Sequence, residues 1–129
     1  MVAPNEITWK LSPEVVKGVA PIRKTLGEDG YANDKRAFQI FMCNYFNGDH
    51  GGCSREQGNS IRPVAYPTEA GWKCLKVRWA YPGSGRSGGL RLAVAVRCDE
   101  LKVNLVGVWV RSTDPGAAEF AKAFKNPVL

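Results

Sequence analysis

The chain has 129 residues, enough to bury one core and too few for two, and its 44% apolar and 23% charged content excludes a disordered or fibrous class. Eighteen Lys and Arg against twelve Asp and Glu give a net charge of +6. No run approaches the ~18 apolar residues of a membrane span.

Along the chain there is no repeat or low-complexity stretch, so one domain over 1–129 is expected. Glu6 to Leu11 alternates apolar and polar residues and predicts a short opening strand. Ser12-Pro13 then reads as a helix N-cap with proline at the first helical position, and Val15, Val16 and Val19 begin an apolar stripe. Pro21 is expected to kink that helix and Gly27 to Gly30 to end it. A second helix is predicted from Asn33-Asp34, carrying Phe38, Phe41, Met42, Tyr45 and Phe46 at helical spacing. Gly48 to Gly71 is loop-like, with an edge strand expected over Ile61 to Tyr66, since Pro63 and Pro67 forbid a central one. Trp72–Tyr81, Gly89–Cys98 and Lys102–Arg111 are three β-rich runs joined by short connections, which predicts an antiparallel meander. Asp114 to Lys125 reads as a terminal helix. The expected class is α+β: a small antiparallel sheet (the meander plus the N-terminal strand) packed against two N-terminal helices, with a short C-terminal helix.

The charge is unevenly placed. Residues 1–71 hold eight basic and eight acidic groups, residues 112–129 two of each, and residues 72–111 eight basic and two acidic, so the surplus of six sits in forty residues. Period-two counting puts Leu75, Val77 and Trp79 on one face of the first strand, with Cys74, Lys76 and Arg78 on the other. The second strand shows Leu90, Leu92, Val94 and Val96 against Arg91, Ala93, Ala95 and Arg97. In the third, Val106, Val108 and Val110 oppose Leu105, Gly107, Trp109 and Arg111. An ordinary solvated face mixes signs, whereas this one carries Lys76, Arg78 and Arg91 with Arg86 on the loop and Arg111 at the rim. The alanines leave room between the arginines. Clustered guanidiniums without carboxylates suit phosphate recognition.

Other motifs carry less. Gly83-Ser84-Gly85-Arg86-Ser87-Gly88 matches G-x-G-x-x-G, but a strand follows it where a dinucleotide site needs a helix. Cys43, His50 and Cys53 fit no strong metal template, and no metal is expected. The only histidine, His50, lies in a glycine-flanked loop far from the basic strands, and no nucleophile elbow is present. Trp79 and Trp109 are expected in the core rather than as base-stacking platforms. Met1 to Ala20, broken by Pro4, Lys10, Pro13, Glu14 and Lys17, has no apolar secretion core, so a cytoplasmic location is expected and the four cysteines are read as thiols.

Three passages carry a family likeness: Trp72-Lys73-Cys74-Leu75-Lys76-Val77-Arg78, then Gly83-Ser84-Gly85-Arg86-Ser87-Gly88-Gly89-Leu90-Arg91-Leu92, then Trp109-Val110-Arg111-Ser112. Together they resemble the RelE/HigB branch of the RelE/ParE toxin superfamily, over about forty residues. The resemblance implies a toxin of a bacterial toxin–antitoxin pair, acting as a ribosome-dependent, metal-independent endoribonuclease on mRNA, with mRNA on the ribosome and a cognate antitoxin as partners and no cofactor. By that likeness Arg91 is the phosphate and transition-state binder, Lys76 and Arg78 the basic strand that activates the nucleophile, and Arg111 the basic end of the last strand. Lys73, Arg86, Arg97 and Tyr81 complete the implied RNA-binding set. Family members commonly place a histidine, tyrosine or glutamate near the last strand or C-terminal helix, where this chain offers only Tyr81 or Glu119. The alternatives are a ParE-like inhibitor of DNA gyrase, or a non-catalytic RNA- or protein-binding domain.

Overall fold

A computed structural model describes residues 3–46, 61–83, 89–110, 116–125 and 127. After a 3-10 turn at Pro4–Glu6, the elements are β1 (Thr8–Leu11), α1 (Pro13–Tyr45), β2 (Ile61–Val64), β3 (Lys73–Trp79), β4 (Leu90–Arg97), β5 (Lys102–Val110) and α2 (Ala117–Phe124). The class is α+β, but the arrangement differs from expectation in two respects.

The first concerns the helices. Ser12 caps α1 as its sequence suggests, its Oγ accepting the Val15 N–H at 3.2 Å. In place of a four-residue stop between two helices, two helical limbs meet at a kink within Pro13–Tyr45, where only Gly27 leaves helical φ/ψ. There φ is +76° and ψ 168°, a conformation close to glycine-only, so the break costs a single residue. Pro21 does not break the helix: its fixed φ is helical, and Thr25 Oγ1 donates to its carbonyl at 2.9 Å. Across the bend, Arg23 reaches Glu28 through two hydrogen bonds of 2.9 and 2.8 Å. Both groups are exposed, and the pair lowers the Glu28 carboxyl pKa and raises that of Arg23.

The second concerns the sheet, which has five strands in the order β1-β5-β4-β3-β2 and is mixed. β3, β4 and β5 pair antiparallel, β2 adds antiparallel to β3, and β1 lies parallel to β5. β1 and β2, which α1 separates along the chain, form the two edges of the sheet. β2 is an edge strand, which tolerates Pro63.

Period two holds along β3 and β4 and fails once in β5. Ala93 pairs with Gly107 and Val94 with Leu105, so Val106 is an extra residue. The bulge lets Val103 and Leu105 face α1 while Val106 joins the opposite core. A side chain at Gly107 would strike the Trp109 ring at 2.5 Å. Strict alternation from Val106 to Val110 therefore misplaces Val106.

Both sheet faces are covered. Under α1 lies the larger core, with Val15, Met42, Tyr45, Leu75, Val77, Val94, Val96 and Val103 at or near zero exposure. Under α2 lies a smaller one of Trp72, Cys74, Ala93, Ala95, Val106, Phe120 and Phe124. The room left by the two alanines is thus filled by α2, not open as the alternation suggested: Phe120 and Phe124 seat on it. Buried Asn104 donates to the Pro127 carbonyl at 2.5 Å, tying the chain end to β5.

The cysteines also divide. Cys43 and Cys74 are free and sealed in the two cores. Cys98, half-exposed after β4, is disulfide-bonded, which corrects the expectation of four thiols. His50 and Cys53 lie outside the described residues, and among those described no cluster of three metal-ligating side chains occurs. No described helix is long and apolar enough to cross a membrane.

Candidate nucleic-acid interface

Backbone register builds the basic face. Lys76 and Arg78 alternate with Leu75 and Val77, so burial of the latter pair under α1 turns the cations to the α2 side. Arg78 pairs directly with Arg91 on β4, and Lys76 with Arg62 on β2. Direct cross-strand partners stand with Cβ atoms about 4.5–5.5 Å apart. The two cationic rows are two residues apart along β3, roughly 7 Å. Like charges in such positions disfavour the sheet by about 0.2–1 kcal/mol per pair. Arg62, Lys76 and Arg78 form no ion pair with any of the described residues, so no described carboxylate offsets the charge of these three.

Aromatic rings hold part of the patch. Lys76 Nζ lies 4.6 Å from the Phe120 ring centroid and 5.7 Å from that of Tyr66. The ammonium is thereby positioned at the edge of α2, an interaction worth about 0.5–1 kcal/mol. Arg91 has Trp109 as its β5 register partner, and Trp109 packs on Phe120 with centroids 4.7 Å apart. One row across the sheet therefore reads Arg78–Arg91–Trp109, with Arg78 exposed and the other two half-buried.

Gly89 sets where that row begins. Its φ is +105°, and a Cβ there would lie 2.7 Å from the Trp79 carbonyl oxygen. The residue preceding Leu90 and Arg91 thus has to be glycine for the chain to approach the end of β3 so closely.

The remaining expected residues are placed elsewhere. Arg97 shares a face with Arg91 but lies six residues on, roughly 20 Å away. There its Nε sits 2.5 Å from Glu100 and 3.4 Å from Asp99, and its guanidinium packs on Gly71. The Glu100 contact is close but poorly aligned for a hydrogen bond. Lys73 alternates with Cys74 and falls on the α1 side at the start of β3. Tyr81 packs against the α1-side core, on the opposite face from Lys76. Glu119 lines a groove shared with Ser12, Glu14, Trp109 and Lys122, on the β1 side of α2. Arg86 and Arg111 lie outside the described residues.

Other reactive groups are poor nucleophiles. Burial pushes both the Cys43 and Cys74 thiols up, away from the thiolate form. Burial likewise raises the Tyr45 hydroxyl.

Arg62, Tyr66 and Phe120 were missed by sequence reasoning. Arg62 lies in a stretch balanced in charge, and only the β2–β3 register brings it opposite Lys76. No protein-family model matches the chain, and no curated protein or solved structure shows significant similarity to it.

Proposed function

We propose that the end of the α2-covered face bearing Arg62, Lys76, Arg78 and Arg91 binds the phosphates of single-stranded RNA. One observation carries this reading: two directly opposed cation pairs share one sheet face, and three of the four cations have no described carboxylate partner. Guanidiniums at this spacing can contact successive phosphates bidentately, and Trp109 in the same row offers a ring beside them. A double-stranded helix would need a longer positively charged track.

The likeness to RelE/HigB toxins extends the reading to cleavage. The ribose 2′-oxygen attacks the adjacent phosphorus and the bond to the 5′-oxygen breaks, leaving 2′,3′-cyclic phosphate and 5′-hydroxyl ends. The 2′-OH proton passes to solvent, and the departing 5′-oxygen takes one from water. Arg91 and Arg78 would stabilise the extra negative charge of the pentacoordinate phosphorus, and the same field favours loss of the 2′-OH proton. Metal is not required for this scheme. A protein of this kind acts on ribosome-bound mRNA, and its antitoxin would cover the basic face by charge complementarity.

The test is incubation of the purified chain with translating ribosomes, followed by mapping of mRNA ends. The reading expects cyclic phosphate ends that disappear in Arg91→Ala while the circular dichroism spectrum is kept. Intact mRNA together with blocked gyrase supercoiling would instead assign a ParE-like inhibitor and overturn it.

A further inference from the structure

The other sheet face carries a separate feature. The bend at Gly27 sets the two limbs of α1 at an angle, and between them and the sheet lies a cleft of about 320 Å³. Its walls include Trp9, Leu11, Ile22, Phe38 and Trp79, with a single carboxylate, Asp34, on the second limb. That volume is at the lower end of the range for small-molecule sites.

The two indole N–H groups of the walls are already used, while Tyr31, Lys35 and Gln39 also line the cleft. Trp9 Nε1 donates to the Pro4 carbonyl at 2.9 Å, and Trp79 Nε1 donates to both Asp34 oxygens at 3.2 and 3.3 Å. Both indoles therefore offer only hydrocarbon and π surface to a guest. Phe38 and Phe41 fix the Trp79 ring, with centroids at 5.2 and 5.4 Å. Asp34 is different. Two carboxylate oxygens can accept about four hydrogen bonds, and one indole N–H leaves that capacity largely unspent. Among the described residues no lysine or arginine is within ion-pair distance of it, and Lys35 on the same rim makes no such pair.

We propose that this cleft binds a small organic amine with an aromatic or branched apolar body, the body against Trp9, Phe38 and Trp79 and the ammonium on Asp34. A cation above an indole also gains from the ring quadrupole. An acid of the same shape would bring two negative charges together in a half-buried setting. Burial raises the Asp34 carboxyl, with the Trp79 hydrogen bond opposing in part, and a bound ammonium would favour the charged form. The proposal is independent of RNA binding, since the α1 and α2 faces do not share these residues.

Two probes of one shape decide it: 2-naphthylmethylamine and 2-naphthylacetate, each titrated into the ¹⁵N-labelled full chain at neutral pH while the four indole N–H resonances are followed. The amine is expected to move the Trp9 and Trp79 signals, leave Trp72 and Trp109 in place, and bind at least about tenfold more tightly than the acid. Asp34→Asn, which keeps an acceptor for Trp79, should erase that preference. Preference below about tenfold in the unmodified chain, absence of amine binding at about 1 mM, or shifts confined to Trp72 and Trp109 would each overturn the proposal.

Discussion

Arg78 and Arg97 lie on one face of the sheet, yet Arg97 is paired with acids while Arg78 has no ion pair among the described residues. Around Arg97, Asp99 and Glu100 close the charge at the β4–β5 turn, and Lys102 adds a further contact to Glu100 at 3.8 Å. Around Arg78 stand Arg91 in direct register and the Lys76–Arg62 pair one row along. A basic residue with acids two and three positions on stabilises its own turn. Basic residues stacked against one another across strands work against the sheet and point to an external anion. The surplus of charge is thus a place in the fold rather than a segment of sequence, and Arg62 belongs to it from outside the basic forty residues.

The largest expected effect separates the two ends functionally. Arg91→Ala should lower RNA cleavage by about 10²–10³-fold, the usual loss for one donor to a developing oxyanion. Arg97→Ala, assayed alongside, should keep activity within about threefold. Equal losses would merge the two ends into one site and break the contrast.

Next in size is the hairpin that carries the Arg78–Arg91 row. Gly89→Ala should cost about 1–3 kcal/mol in urea unfolding, because it forces a Cβ onto the Trp79 carbonyl at positive φ. Gly83→Ala has positive φ but open space around it, so it should cost less. A smaller effect is expected at Lys76. Its change to Met keeps the packing on Phe120 and Tyr66 but removes both the cation–π attraction and the repulsion with Arg62, so stability should change by no more than about 1 kcal/mol in either direction. RNA affinity should fall by more than that stability change accounts for.

The smallest effect lies on the α1 side and serves as a contrast in sign. Burial holds the Asp34 carboxyl above its ordinary range, with the Trp79 hydrogen bond opposing in part. Folding therefore favours the protonated form. Its destabilising contribution is absent below the ordinary carboxylate range, grows as pH rises through that range to the raised folded value, and is constant above. Asp34→Asn should flatten this part of the stability–pH curve, measured by thermal unfolding between acid and neutral pH. A variant that leaves the curve unchanged would show that Asp34 is not the group responsible.

Much of the frame was legible because it rests on local rules. Ser12-Pro13 marks a helix start by capping chemistry, and alternation along 73–79 and 90–97 separates apolar from basic faces without reference to the fold. What was illegible depends on meetings between distant residues. Gly27 alone interrupts α1, whereas four turn-forming residues at 27–30 suggested a stop. The extra residue Val106 is visible only through its pairing with β4, and it defeats alternation in β5. Alanines 93 and 95 looked like open space because nothing local says that Phe120 and Phe124 fill it. Of the expected site, Lys76, Arg78 and Arg91 come together on the described face, while Lys73 and Tyr81 fall on the other and Arg97 is held by acids. Arg62 and Asp34 carry no local signature, since each matters through a partner across the fold, Lys76 in one case and Trp79 in the other.

The most direct measurement is the salt dependence of binding to a short single-stranded RNA, for the unmodified chain, Arg62→Ala, Arg78→Ala and Arg97→Ala. Each lost phosphate contact should reduce the slope of log affinity against log salt by about 0.7. The basic end predicts that reduction for Arg62→Ala and for Arg78→Ala, with the slope of Arg97→Ala unchanged. A slope reduced by Arg97→Ala and untouched by the other two would contradict the assignment of the site to that end.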